Sequence, residues 1–143
     1  MQASSEYPGW PASNVLDHDE STSWFSGGND SVARGSQPWL LFSLSRPARL
    51  RLVRVLGNRN PSFPLGYSVL ELRMDVLDGE GQVLASEASR SPAPPHDFMF
   101  SLRERALEAH GVRLTVLLDE GGKNPYGDVA LGEVQIELEQ EAE

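Results

Sequence analysis

The residues best equipped for chemistry lie near the start of the chain, in S-N-V-L-D-H-D-E-S-T-S-W from Ser13 to Trp24. Asp17, Asp19, Glu20, Ser21 and Thr22 gather carboxylates and hydroxyls within a few positions, behind the apolar pair Val15 and Leu16. The run shows neither a helical face nor strand alternation, so it reads as a tight loop with oxygens turned inward. Inward carboxylates need a partner, because burying them alone is costly. A hard cation such as calcium, which takes six to eight oxygen ligands, is one such partner; a solvated acidic turn is the other reading. The segment is not an EF-hand, since it has no D-x-D-x-D-G followed by the distal Glu.

Two further loops carry recognition chemistry. Gly57–Gly66, G-N-R-N-P-S-F-P-L-G, holds Asn58, Arg59, Asn60 and Phe63. Amide and guanidinium groups make directional hydrogen bonds to hydroxyls, and an aromatic ring offers a face to the C–H side of a sugar. The two Asn residues could equally be turn formers. Asp119–Asp128, D-E-G-G-K-N-P-Y-G-D, adds Asn124 and Tyr126, which could be ligand contacts or the parts of a Gly/Pro turn. Trp10 could be a ligand platform, and is read here as covering the edge of the core.

Short strands must position these loops. Trp39–Leu44 and Leu50–Leu56 read as two strands, the second with Arg49, Arg51 and Arg54 facing solvent and a slip in alternation at Val53–Arg54 that marks a bulge. Tyr67–Leu77 alternates Leu70, Leu72, Met74 and Val76 against Glu71, Arg73 and Asp75. Asp78-Gly79-Glu80-Gly81 is a hairpin signal, with Gln82–Ala85 as the return strand. Phe98–Leu102, Val112–Leu118 and Val129–Leu138 are further strands. Glu104–His110 is the one helical-looking piece, ending at Gly111. Trp24–Pro38 is a long Gly/Ser/Asn loop, and Glu87–Asp97 an irregular connector in which His96 has no second His or Cys at zinc-ligand spacing. Gln140–Glu143 reads as a frayed acidic tail. The expected fold is all-β, a jelly-roll β-sandwich of about eight strands. Its expected core is Val15, Leu16, Trp39, Leu41, Leu52, Val55, Leu70, Leu72, Met74, Leu114, Val116, Leu131 and Ile136.

The chain has 143 residues, which fits one domain, 1–143, with a sizeable core. Hydrophobic residues make up 39 % and charged residues 23 %, a globular balance. There is no cysteine, hence no disulfide framework and no Cys-based zinc site. A net charge of −9 argues against a nucleic-acid partner. No apolar run reaches a membrane span, and the opening M-Q-A-S-S-E-Y-P has neither the basic nor the apolar region of a signal peptide. Phe63 and Leu65 beside Arg59 match a membrane-inserting spike only faintly, and the acidic surface disfavours it.

A-S-N-V-L-D-H-D-E-S-T-S-W resembles the opening signature of the discoidin, or coagulation-factor type C, modules of the galactose-binding-like superfamily, to which the family 32 carbohydrate-binding modules are similar. Q-P-W-L-L-F-S-L (Gln37–Leu44), A-R-L-R-L-V-R-V (Ala48–Val55) and V-A-L-G-E-V-Q-I-E-L (Val129–Leu138) resemble later strands of that family in the same order. His18 departs from the family's Gly, Phe25 stands where sugar-binding members often place a polar residue, and Asn60 comes earlier than the family's Asn.

The resemblance implies one structural calcium. Asn14 and Asp19 would offer carbonyls, Asp17 its carboxylate, Thr22 its carbonyl and hydroxyl, Gly132 a carbonyl and Glu133 a carboxylate. It also implies glycan recognition with Arg59, Asn60 and Tyr126 at the family's ligand positions, to which the chemistry of the loops adds Asn58, Phe63 and Asn124, and an extracellular setting. No Walker loop, G-x-S-x-G, zinc motif or Ser-His-Asp set is present, so the reading is non-catalytic. The expected partner is a glycan or glycoconjugate, alternatively a protein bound by the same fold without sugar affinity. The chain is read as a monomer or as part of a larger chain.

Overall fold

A computed structural model describes residues 1–102 and 108–139. The element order is β1 (Gln2–Ala3), β2 (Trp24–Phe25), β3 (Trp39–Gly57), β4 (Val69–Leu77), β5 (Val83–Arg90), β6 (Phe98–Ser101), β7 (Glu108–Asp119) and β8 (Ala130–Leu138). Short 3₁₀ turns at Ala12–Leu16, Val32–Arg34 and Gly121–Lys123 are the only helical pieces among the described residues. The expected all-β sandwich is thus the observed fold.

All strand pairs are antiparallel, along the path β2-β8-β3-β7-β4-β5, with β1 and β6 also pairing β3. The two strands expected from Trp39 to Leu56 are one 19-residue strand. Its first half pairs β7, from Trp39 opposite Thr115 to Ser43 opposite Gly111. Its second half pairs β8 and β6, with Val53 opposite both Ile136 and Phe100. The register with β7 shifts between Ser43 and Ala48, where the Arg46-Pro47 pair interrupts regular donation. A second irregularity falls between Leu50 and Leu52, slightly before the expected slip, and turns Val53 and Val55 inward.

One apolar cluster lies between the two halves. It joins Leu40, Phe42, Leu72, Met74, Leu114 and Val116 to Val53, Val55, Phe98, Phe100, Leu131 and Val134. Val15, Val55, Leu72, Met74, Leu114, Val116 and Leu131 are buried as expected. In W-L-L-F the buried face is Leu40 and Phe42, whereas Trp39 and Leu41 are half-buried, as are Leu52, Leu70 and Ile136. Leu16 is 45 % exposed. With three residues per turn, the 3₁₀ segment places Ala12 and Val15 on one side and throws Leu16 outward. The expected helix at Glu104–His110 is corrected where it is described: Glu108, Ala109 and His110 begin β7, with Glu108 opposite Arg49 and Ala109 opposite Ala48 on β3, a tertiary pairing that overrides their helical propensity. Residues 103–107, like the acidic tail at Gln140–Glu143, lie outside the described residues.

The Asp78–Gly81 hairpin forms, and its return strand runs on to Arg90. Arg49, Arg51 and Arg54 are exposed. The Trp24–Pro38 loop is pinned by carboxylates. Asp30 accepts from the Ser4, Ser5 and Ser36 hydroxyls, and Asp119 accepts from the Val32 amide at 2.7 Å.

Candidate functional site

The acidic loop and the last strand meet. Glu133, opposite Leu56 on β3, is 2 % exposed, and neither of its carboxylate oxygens has a hydrogen-bond partner. It lies against the Asp17 carboxyl. Burial, with that second carboxyl beside it, pushes Glu133 up to about 7. The backbone amides of His18 and Asp19 are near enough to draw it partly back down. Burial by itself would raise the Asp17 carboxyl, but donation from the Thr22 hydroxyl and the Asp19 amide, with further contacts, together outweighs it and holds Asp17 below its ordinary value.

His18 takes φ +60°, the left-handed conformation in which a Gly would be unstrained and which His tolerates better than most residues. The loop therefore turns as the Gly-bearing family loop is expected to turn. Thr22 Oγ also donates to the Asp19 carbonyl at 2.9 Å. The Asn14 side chain donates to the Ser23 carbonyl at 2.9 Å, which leaves its own carbonyl as the group available to a cation. Gly132 is backed against β3, where a Cβ would stand 2.6 Å from the Gly57 carbonyl oxygen. Among the described residues no three His, Cys, Asp or Glu side chains converge. The charged pair here is two carboxylates, and the rest of a coordination shell would be carbonyls and the Thr22 hydroxyl. A buried carboxylate with orphaned oxygens beside a second carboxylate fits a hard divalent cation.

The Gly57–Gly66 loop is tied to the acidic loop by its asparagines. Asn58 Oδ1 accepts from Ser23 Oγ at 2.8 Å and from the Asn60 amide at 3.0 Å, while its Nδ2 donates to the Phe63 carbonyl at 2.7 Å. Asn60 donates to the Ser21 carbonyl at 3.1 Å and accepts from the Ser62 and Phe63 amides. Arg59 is paired to Asp97 at 2.7 Å. Asn124 is buried; its Nδ2 donates to the Gly66 and Asp128 carbonyls and its Oδ1 accepts from the Tyr126 and Gly127 amides. These amides are occupied in shaping the loops. Phe63 and Tyr126 alone, among the six expected ligand contacts, line the aromatic pocket next described.

That pocket was not visible as a unit in the sequence. Tyr7, Trp10, Phe25, Phe63, Tyr67, Tyr126 and Asp128 surround a cavity of about 50 Å³. Backbone pairing brings them together. Tyr7 and Trp10 both bond the Phe25 backbone, Phe25 stands opposite Ala130 in β8, and the Ala130 amide donates to the Tyr67 carbonyl. Phe25 forms the floor at 3 % exposure, with ring centroids 5.0 Å from Trp10, 5.2 Å from Tyr67 and 5.9 Å from Phe63, all edge-to-face. Tyr7 and Tyr126 pair at 5.4 Å, with Tyr126 43 % exposed.

Asp128 is 2 % exposed, with Oδ1 unpartnered, and burial pushes its carboxyl up to about 6. The Tyr67 phenol is raised too, first by burial and then by the charges of Asp128, Tyr126 and Tyr7. Trp10 thus both covers an edge and walls the pocket. The missed residues, Tyr7, Tyr67 and Asp128, had one available signal: aromatics in separate segments, and an Asp opening an apolar strand.

No family model matches the sequence, and no curated protein sequence matches it. Solved structures do match in shape. One is the third family 32 carbohydrate-binding module of a family 31 glycoside hydrolase from Clostridium perfringens, with TM-score 0.75 and 15 % identity over 97 % of this chain and 89 % of that one. The fold is one this chain shares with that module. Two more share it. The lectin binding domain of lectinolysin (a His 62 mutant complexed with Lewis b) has TM-score 0.73 and 14 % identity over 98 % of this chain and 91 % of that one. The family 32 module of C. perfringens NanJ, in complex with galactose, has TM-score 0.69 and 14 % identity over 94 % of this chain and 90 % of that one.

Proposed function

We propose that this chain is a non-catalytic carbohydrate-binding module. It recognises a glycan or glycoconjugate at the aromatic pocket, and a structural calcium ion between the acidic loop and β8 holds the neighbouring loops in place. The observation that carries the reading is the pocket itself, ring-walled and open at Tyr126, on a fold shared with modules whose structures hold galactose or Lewis b. Ring faces take the C–H side of a sugar, and Tyr126, exposed at the rim, is the ring most open to it. Asp17 and Glu133 would supply the charge for calcium; Thr22 and the carbonyls of Asn14, Asp19 and Gly132 would complete the shell. The ion supplies no chemistry to a substrate. Through the Ser21–Asn60 and Ser23–Asn58 bonds, ordering the acidic loop steadies the loop that presents Phe63.

One observation favours a second reading, a protein-interaction module. Asn58, Asn60, Asn124 and Arg59 are engaged within the chain, which leaves few directional donors for sugar hydroxyls. A glycan array in calcium decides between them. Specific hits lost in Tyr126→Ala support the carbohydrate module; a blank array with a specific protein captured on the same face supports the alternative.

A further inference from the structure

Asp128 presents a buried carboxylate to a cavity otherwise walled by aromatic rings, and among the described residues no Lys, Arg or His lines it. An ionised carboxylate in such a place lacks a partner of opposite charge. Ring faces carry negative electrostatic potential and attract cations, most strongly where water is excluded. Both walls and floor therefore favour the same kind of occupant. A neutral sugar enclosed here would need several donors and acceptors, and beyond the carboxylate the side chains offer only tyrosine hydroxyls and the Trp10 indole N–H.

Size narrows the choice. A small recess of about 50 Å³ suits a compact group, such as a nitrogen with its methyl groups, better than a whole pyranose ring. A primary ammonium would bring N–H donors that a single carboxylate leaves underused, whereas methyl groups meet ring faces without that demand. The net charge of −9 concentrates cations around the molecule.

We propose that the pocket binds a methylated organic ammonium group, choline-like in shape, packed against the rings with its charge on Asp128. For the group itself the inference stands on the pocket; for the larger molecule that carries it, on the carbohydrate reading, with the sugar resting outside on the Tyr126 rim.

The test is calorimetric and fluorimetric titration of the full chain near neutral pH, using the Trp10 wall as reporter. The probes are choline, its uncharged carbon isostere dimethylbutanol, methylammonium and methyl galactoside. Choline is expected to bind at least about tenfold more tightly than dimethylbutanol. Asp128→Asn and Tyr126→Ala should each weaken choline by about tenfold with the cooperative melt retained. Tyr126 is at the surface, so its loss tests the site even if the Asp128 variant folds poorly. Equal binding of the uncharged isostere, or no binding of choline, overturns the proposal. Choline linked to dextran, run beside free choline, separates a carried headgroup from a free cation: tighter binding of the conjugate assigns the carrier, and equal binding assigns the free cation, both with the pocket upheld. Galactoside binding with choline blank would defeat this inference and leave the carbohydrate module standing; choline binding with a blank glycan array would do the reverse.

Discussion

The Glu133 carboxyl, on the last strand, lies buried against that of Asp17, on the acidic loop near the start of the chain, with neither Glu133 oxygen hydrogen-bonded. Two carboxyls in one recess repel when both are ionised, so a divalent cation is expected to stabilise the folded state by mass action. At calcium about a hundredfold above the dissociation constant, the gain is about 2.7 kcal/mol, a rise in melting temperature of about 5–10 °C. Glu133→Gln should abolish that response and melt no lower than the parent protein in chelator. A parent melt identical with calcium and with chelator would refute the clasp.

Asp128 gives a stability prediction with the opposite sign from an ordinary surface acid. Its folded value, about 6, stands above the ordinary 3.8, so the folded state holds the proton more tightly than the unfolded chain. The contribution of Asp128 to stability is therefore fully present below about pH 4 and is lost as pH rises through about 6, by at most about 3 kcal/mol. Asp128→Asn should flatten that decline and raise the melting temperature at neutral pH by several degrees, measured by calorimetry across pH in the absence of ligand. A lower melting temperature at neutral pH would mean that the carboxylate is stabilising as it stands.

Gly57 marks the closest backbone approach near the recognition loops. A Cβ there would run into the Pro95 carbonyl oxygen and stand 2.8 Å from that of His96. Both obstacles are backbone and cannot swing away. Gly57→Ala should cost about 3 kcal/mol or more in urea unfolding. A cost under about 1 kcal/mol would show that the Pro94–His96 segment yields.

Asn124 organises the loop that carries Tyr126 and Asp128. Asn124→Ala removes a buried amide that serves five backbone groups, and should destabilise by about 2–3 kcal/mol and open the loop to proteolysis. Unchanged stability with lost glycan binding would instead make Asn124 a ligand contact.

Strand positions were legible where alternation was clean: β4 buries Leu72, Met74 and Val76, and its Asp78–Gly81 hairpin follows. Faces were not legible where every residue is apolar. W-L-L-F offers no polar partner to choose Leu40 and Phe42 over Trp39 and Leu41, and only pairing with β7 settles it. The acidic loop advertised itself because its groups are adjacent in sequence. The aromatic pocket did not, because its rings come from separate segments that meet only after β2 pairs β8 and Tyr67 bonds Ala130. The asparagines looked like ligands because sequence shows an amide's chemistry and hides which backbone groups already use it.

β3 is a single strand whose first half is hydrogen-bonded to β7 and whose second half is bonded to β8 and β6. A continuous strand shared by both layers couples them, since loosening either one frees hydrogen-bonding groups of the strand the other depends on. Mechanical load or heat should therefore meet one barrier and one transition, with no half-open sandwich along the way.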